Sequence, residues 1–179
     1  MTGDLRRYAR GQAGYTLVEV IVASAIGAIL MAGLTSVILT SARANNIASS
    51  RIEASSQIRS FQFFAYDDFA RSGIPEPSGC GTKGDPCTTQ PIVLTGQQVA
   101  NVATPAPSPY QVTYAWDGTS FLERTANNVP TIHAAVGVTG FSWYVDGTAP
   151  HQTVVVSMTV TVRSYDESQT LRFYPRVNP

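Results

Sequence analysis

A single carboxylate, Glu19, lies inside the longest apolar run of this chain. Residues 17–39 are Leu, Val, Ile, Ala, Met and Gly with a few Ser and Thr, and Glu19 is their only ionisable side chain. An acidic side chain inside a membrane-spanning helix costs about 2.5–3.5 kcal/mol on insertion scales, so a retained one needs a cationic partner. Near the end of a span, the side chain can instead extend to the interface. The helix alone leaves both interpretations of Glu19 open.

The two cysteines, Cys80 and Cys87, lie in a segment rich in Gly and Pro. Six residues separate them, with no histidine and no second cysteine pair nearby. A zinc site needs four ligands, so we expect no metal here. In an oxidising compartment a disulfide would close this short loop and stabilise the fold by about 2–3 kcal/mol at most. Two reduced thiols are the alternative.

The other residues that could carry chemistry form no recognisable active site. The two histidines are far apart in sequence, and no Gly-x-Ser-x-Gly, phosphate-loop, zinc or calcium motif is present. Asp67, Asp68 and Glu76 could hold calcium, but solvated carboxylates at a helix end explain them better. We therefore expect no enzyme activity, no cofactor and no metal.

The composition suits one modest domain attached to an extended helix. The chain has 179 residues, of which 12 are basic and 12 acidic. It contains no basic domain, which argues against nucleic-acid binding as its main activity. Arg6, Arg7 and Arg10 precede the apolar run, so the positive-inside rule predicts a cytoplasmic N-terminus and a domain outside the membrane. The run suits a membrane span and is too long for an ordinary signal peptide, although a plain signal anchor stays open.

One continuous helix is predicted from Thr16 to about Ser72, because no proline interrupts this stretch. Its front half, residues 15–39, is apolar on all sides, as expected for a helix buried in lipid or in a filament core. In its rear half, residues 40–73, apolar side chains recur at helical spacing on a face that should pack on a sheet. That face comprises Ile47, Ala54, Ile58, Phe61, Ala65 and Phe69, widened by Phe63, Phe64 and Tyr66.

Two local signals describe the end of this helix. Asp67 and Arg71 stand four residues apart and should form a modest ion pair on the helix surface. Gly73, followed by Pro75, should stop the helix.

Residues 74–179 are predicted to form an antiparallel β domain. Asp117-Gly118, Asn127-Asn128 and Asp146-Gly147 are turn signals. Strands are expected at 91–95, 98–102, 110–116, 120–124, 141–145, 153–163 and 170–174. The aromatic residues Trp116, Trp143 and Tyr144 are interpreted as core side chains in preference to an adhesive surface. A long helix followed by antiparallel strands is an α+β arrangement.

The segment from Gly14 to Glu19 resembles the processing site of type IV prepilins and type II secretion pseudopilins. It has their Gly, aromatic residue and Thr-Leu-x-Glu ahead of an apolar helix. The resemblance implies cleavage by a prepilin peptidase between Gly14 and Tyr15, followed by N-methylation of Tyr15. Glu19, beside Thr16 and Leu17, would then neutralise the new amine of a neighbouring subunit as helices stack. Close pairing recovers much of the cost of two charges in an apolar medium.

The same resemblance divides the chain into four parts. They are a leader (1–14), a transmembrane or filament-core half-helix (15–39), an amphipathic half-helix (40–73) and a globular domain with a disulfide loop (74–179). Loss of the leader removes three basic and one acidic side chain, so nine and eleven remain, for a net charge of −2. The implied architecture is the pilin fold, in which the rear half of the helix packs on the sheet.

Within this superfamily the chain looks most like PilW-type minor pilins and J-type pseudopilins. The similarity rests on the sequences starting at Asp68, Tyr114 and Val138, with Leu122-x-Arg124 and the position of Cys80. The absence of a helix proline departs from many major pilins. These features imply a structural minor subunit at or near the tip of a type IV pilus.

Several alternatives stay open beside the pilus subunit. One is a minor pseudopilin of type II secretion, and another is a component of a competence pilus for DNA uptake. A third alternative, from a different functional class, is a helix-anchored extracellular adhesin or binding module. The implied partners are other pilin or pseudopilin subunits, the prepilin peptidase and the membrane, which the precursor crosses once. The implied location is the cytoplasmic (inner) membrane with the globular domain outside, and later an extracellular pilus or periplasmic pseudopilus. Nucleic acid has no support from the residue pattern.

Overall fold

A computed structural model of the protein describes residues 14–99, 107–127 and 129–176. One helix, α1 (Leu17–Arg71), precedes all the strands, which confirms the predicted α+β class. The strands are β1 (Ile92–Val99), β2 (Pro107–Trp116), β3 (Phe121–Ala126), β4 (Ile132–Val136), β5 (Val138–Asp146), β6 (Thr153–Val162) and β7 (Tyr165–Phe173). Most of the predicted leader, the end of the predicted strand 98–102, and Asn128 lie outside the described residues.

The chain divides into two compact units, residues 1–45 and residues 46–179. The described part of the first unit is almost entirely helical and exposed. Helix α1 contains an 18-residue window with a mean hydropathy of 2.3, and none of that window is buried. Its length and composition are those of a helix that can cross a membrane.

In the second unit, α1 packs through one face, as its periodicity predicts. Phe61 meets the ring of Tyr114 edge-on at 5.4 Å, and Phe69 stacks on Phe173 at 4.4 Å. Because Tyr114 belongs to β2 and Phe173 to β7, one helix face closes a core shared by strands of both sheets. The buried helix side chains are Ser50, Ala54, Ile58, Phe61, Ala65, Asp68 and Phe69.

Three residues that the sequence assigned to this face are largely exposed. Phe63 is 78% exposed and Tyr66 is 67% exposed. Phe63 follows the buried Phe61 by two residues, about 200° around the helix, so its side chain points away from the sheets. Ile47 has the phase of the buried face, but it lines an open groove beside the turn after β6 and is 62% exposed.

The strands form two antiparallel sheets, in the orders β1-β2-β3-β4 and β5-β6-β7. The division into two sheets was not part of the sequence prediction, and neither was β4. That strand is short and contains Ala134 and Ala135, which have low strand propensity and are buried only through tertiary packing. The turn signals at Asp117 and Asp146 do join β2 to β3 and β5 to β6.

The cysteine loop covers an edge of the three-stranded sheet. A disulfide joins Cys80 and Cys87, as the sequence suggested. The amide of Cys87 donates to the carbonyl of Trp143 at 2.8 Å, and the amide of Trp143 donates back at 2.9 Å. The amide of Val145 donates to the carbonyl of Gly81 at 3.0 Å. The loop therefore covers part of the outer edge of β5, which would otherwise be free to pair with a strand of another chain.

A close backbone approach fixes the end of α1 against β1. The amide of Gly73 donates to the carbonyl of Thr95 at 2.8 Å, and Ser72 forms a bridge with Gly96. A Cβ atom at Gly96 would lie 2.3 Å from the carbonyl oxygen of Arg71. Only glycine allows this distance, so Gly96 is required where the helix terminus meets the sheet.

Candidate functional site

The N-terminal segment from Gly14 to Glu19 is exposed throughout. The helix begins at Leu17, so Gly14, Tyr15 and Thr16 precede its first turn. Among the described residues, the carboxylate of Glu19 has no ion-pair partner. Within residues 14–99, 107–127 and 129–176, the structure brings no cation to Glu19.

Thr16 caps the helix that carries Glu19. The hydroxyl oxygen of Thr16 accepts a hydrogen bond from the Glu19 amide at 3.3 Å, and its carbonyl accepts from the Val20 amide at 3.2 Å. Thr-x-x-Glu is the sequence of a capping box, in which the first and fourth residues satisfy free amides at a helix start. The sequence carries this signal, but the prediction for Glu19 considered only its charge. The observed cap uses the hydroxyl of Thr16 and the backbone amide of Glu19, whereas a complete capping box also needs the Glu19 side chain to accept from the Thr16 amide. An experiment on Glu19 must therefore separate its charge from its ability to complete the cap.

The large apolar side chains on both sides of Glu19 are exposed in this chain. Tyr15 is 82% exposed and Leu17 is 78% exposed, and the valines, isoleucines and leucines up to Leu39 are also at least half exposed. Apolar surface on this scale is stable only when lipid or other proteins cover it.

A second carboxylate, Asp68, occupies the opposite kind of environment near the other end of α1. Its side chain is buried, with 2% exposed, and it accepts two hydrogen bonds from Arg124, at 2.7 Å from Nε and 2.8 Å from Nη2. The hydroxyls of Tyr110 and Tyr114 each donate to one oxygen of the same carboxylate. The guanidinium carbon of Arg124 lies 5.5 Å from the centre of the Phe64 ring. We call Asp68, Arg124, Tyr110 and Tyr114 the buried quartet.

The quartet shifts the pKa values of its members. Burial by itself raises the pKa of Asp68, but the hydrogen bonds from Arg124 and the two tyrosines outweigh burial and hold it below its usual value. Burial and the hydrogen bond to Asp68 raise the pKa of Tyr110 to about 12, and the same causes raise the pKa of Tyr114 further. The hydrogen bond to Asp68 raises the pKa of Arg124. These shifts hold each group in its ordinary charge state near neutral pH, so the quartet offers no group poised for proton transfer. Its hydrogen bonds join α1 to β2 and β3.

Our interpretation of Asp67, Asp68 and Glu76 as solvated carboxylates is wrong for Asp68. Asp67 is exposed and pairs with Arg71 at 2.8 Å, as predicted. Asp68 lies seven residues after Phe61 and three after Ala65, so it shares the phase of the buried face. That phase could have identified Asp68 as buried. No sequence signal pointed to its partners on two separate strands.

The other candidate residues form no catalytic arrangement. His133 lies 3.9 Å from Glu123 and stacks on Phe121, with both ion-pair side chains nearly half exposed. His151 follows the turn after β5. Within the described residues, no group of three His, Cys, Asp or Glu side chains could hold a metal ion. Trp143 is buried as predicted, and its indole donates to the carbonyl of Gln90 at 2.9 Å.

Comparison with known proteins identifies the N-terminal segment. Residues 9–35 match the family model of the prokaryotic N-terminal methylation motif. This prepilin-type motif marks structural pilins and pseudopilins, which are not enzymes. The matched segment contains Gly14, Tyr15 and Glu19 and all of the apolar run except its last four residues. No curated protein and no solved structure matches the chain.

Proposed function

We propose that this chain, whose prepilin motif and long apolar helix support its place in the type IV pilin superfamily, is a minor subunit of a type IV pilus. In this proposal a prepilin peptidase cuts between Gly14 and Tyr15 and the new N-terminus is methylated. The subunit then enters the filament at or near its tip. The observation that carries the proposal is the apolar run, which follows a processing motif and contains no buried residue.

The assembly mechanism follows from the charge on Glu19. Before assembly, lipid covers the apolar helix, and the carboxylate near its end can reach the interface. Cleavage creates a cationic amine at Tyr15, and methylation of an amine keeps its charge. When helices pack side by side, the amine of one subunit meets Glu19 of another, which reduces the cost of both charges in an apolar medium. Pairing therefore favours the assembled state and fixes the axial register.

Two features support a minor subunit over a main fibre subunit. The helix has no proline between Leu17 and Arg71, unlike that of many major pilins. The segments around Asp68, Tyr114 and Leu122-x-Arg124 are those that resemble PilW-type minor pilins and J-type pseudopilins. They include all members of the buried quartet except Tyr110. In this proposal the quartet stabilises the globular unit that such a subunit presents outside the membrane.

The assembly role can be tested with three substitutions of Glu19. Glu19→Gln keeps a residue that completes a capping box but removes the charge, whereas Glu19→Asp keeps a shorter charge and Glu19→Ala removes both. We expect Gln and Ala to reduce incorporation into sheared filaments to the same extent, and Asp to retain part of it. Membrane insertion should be normal in all three. If Glu19→Gln assembles normally while Glu19→Ala fails, the cap is what matters and the charge mechanism is wrong.

The processing step and the location have separate tests. Mass spectrometry of the mature chain should find Tyr15 at the N-terminus with one added methyl group, and a chain that begins before Tyr15 would contradict the proposal. Immunogold labelling should mark filament ends. Labelling confined to the periplasm would favour a pseudopilus, and labelling along the whole fibre would favour a main subunit.

A further inference from the structure

The turn between β6 and β7 carries an arginine in an unfavourable backbone conformation. Arg163 and Ser164 connect the two strands, and Val162 pairs with Tyr165 across the turn. Arg163 has a φ of 58°, and it is the only non-glycine residue with positive φ in the described part of the chain. Positive φ at the first of two turn residues is the type II′ pattern, in which glycine is preferred. Non-glycine residues held in such regions are found preferentially at functional sites.

The strained arginine stands at the edge of an open groove with a volume of about 520 Å³. The second wall of the groove is the start of the helical part of the second unit. The guanidinium of Arg163 reaches that wall, where Nη1 donates to the hydroxyl of Ser50 at 3.5 Å. The groove is lined by Asn46, Ile47, Ser50, Arg163, Ser164 and Tyr165. Each wall therefore combines polar groups with one apolar or aromatic side chain, Ile47 on the helix wall and Tyr165 on the strand wall, and Arg163 supplies the cation.

The positive charge of Arg163 is not neutralised within the described residues. Arg71, Arg124 and Arg172 pair with carboxylates. Arg163 has no ion pair among the described residues, and neither have Arg43, Arg51, Arg59 and Arg176. The two carboxylates just beyond the turn form no ion pair with Arg163; Asp166 accepts from the hydroxyl of Thr161 at 2.7 Å and Glu167 from the hydroxyl of Ser55 at 2.9 Å. Arg163 is thus an exposed cation beside polar donors, an arrangement that suits phosphate, which arginine binds through paired hydrogen bonds.

The groove lies close in the chain to the apolar run. Asn46 follows Leu39 by seven residues. Even a fully extended chain of seven residues reaches no more than about 25 Å. In a membrane-anchored precursor this tether keeps the groove near the headgroup layer. A mixed polar and apolar groove with one unneutralised arginine suits a lipid headgroup better than a fully polar anion.

We propose that this groove binds the phosphate of an anionic phospholipid headgroup through Arg163, with Ile47 and Tyr165 against the upper acyl or glycerol carbons. The inference rests on the proposed function only in that the precursor is anchored in a membrane. Bound lipid would hold the second unit at the bilayer surface until helix packing in the filament replaces the lipid. The strain at Arg163 is then the cost of placing a cation where glycine would give a more stable turn.

The test uses the full-length chain purified in detergent, with phosphatidylglycerol or phosphatidylcholine of identical acyl chains added. Native mass spectrometry measures the fraction of protein that retains each lipid. The informative variant is Arg163→Gly, because glycine relieves the backbone strain while the cation is removed. Arg163→Lys keeps the charge without the paired donors, and Arg172→Gln is the matched control, since Arg172 is also exposed but pairs with Asp146.

We expect wild-type protein to retain phosphatidylglycerol in preference to phosphatidylcholine, and Arg163→Gly to lose that preference by at least five-fold. Its thermal midpoint should equal or exceed that of wild type. Arg163→Lys should retain part of the preference and Arg172→Gln all of it.

Three results would overturn the proposal. Unchanged retention by Arg163→Gly would show that the groove is not the lipid site. Displacement of the lipid by inorganic phosphate at comparable concentration would identify a site for free phosphate. If Arg163→Gly retained lipid normally but entered filaments less well than wild type, the partner of Arg163 would be a carboxylate of a neighbouring subunit. Because lipid retention is measured on the isolated chain, its failure is distinguishable from a failure of the pilus assignment.

Discussion

Glu19 and Asp68 are carboxylates on the same helix in opposite surroundings. Asp68 is buried and receives hydrogen bonds from an arginine and two tyrosines. Glu19 is exposed on an apolar helix and has no ion-pair partner among the described residues. The contrast separates a unit whose interactions are complete within one chain from a segment whose interactions must come from outside. Substitutions at Asp68 should therefore act on folding, and substitutions at Glu19 on assembly.

The largest expected effect is that of Asp68→Asn. It leaves the charge of Arg124 buried without a full partner, and breaking a buried ion pair costs about 3–5 kcal/mol. Thermal unfolding can be followed by tryptophan fluorescence, because both tryptophans, Trp116 and Trp143, lie in the second unit. Asp67→Asn is the adjacent control, since its pair with Arg71 is exposed and worth about 0.3–0.5 kcal/mol. Equal effects at the two positions would contradict the role assigned to the quartet.

Stability should fall at both extremes of pH. The pKa of Asp68 is lowered in the fold, so its contribution is present above about pH 4 and is lost as pH falls through the lower folded value. The pKa of Tyr110 is raised to about 12, so its contribution is complete below about pH 10 and is lost as pH rises through about 12.

Asp68→Asn should reduce the loss of stability at both acid and alkaline pH, measured as the free energy of unfolding in urea at a series of pH values. It should not abolish the acid loss, because hydrogen bonds from Thr119 and nearby amides lower the pKa of Asp117 as well. Unfolding that depends on acid pH as strongly in Asp68→Asn as in wild type would show that other groups govern acid stability.

A smaller effect is expected for Gly96→Ala. The added Cβ would lie 2.3 Å from the carbonyl oxygen of Arg71, so backbone must shift, at a cost of about 1–3 kcal/mol. Gly84→Ala is the matched control, because a Cβ there meets nothing within 4 Å and the residue has no positive φ. A Gly96→Ala variant as stable as wild type would mean that the backbone at the helix end and β1 can move apart without a cost in stability.

The smallest expected effect on folding is that of Glu19→Gln. The thermal midpoint of the second unit should be unchanged, since Glu19 lies in the other unit and makes no ion pair among the described residues. An unchanged midpoint together with reduced filament incorporation would show that Glu19 acts on assembly and Asp68 on folding. A lowered midpoint in Glu19→Gln would mean that the two units are coupled in stability.

Local patterns in the chain were sufficient for most of the elements. The bounds of α1 agree with the prediction within one residue, because a run without proline and a Gly-x-Pro stop are both local signals. The turns at Asp117 and Asp146 are likewise set by adjacent residues; the Asp117 carboxylate accepts amide hydrogen bonds from Thr119, Ser120 and Phe121. The bounds of the strands were less accurate, and β4 was missed because its two alanines carry no strand signal.

The candidate sites were predictable to different degrees. The sequence alone determined the prepilin motif, the apolar run with its isolated Glu19, and the presence of one closely spaced cysteine pair, because each is written in consecutive residues. Only the tertiary structure decided that Asp68 is buried, that it meets Arg124 and two tyrosines from β2 and β3, and that Arg163 faces Ser50 across a groove. Those contacts join residues between 42 and 113 positions apart. Which distant side chains meet depends on strand register and on how the helix packs, and neither is recorded in the spacing of neighbouring residues.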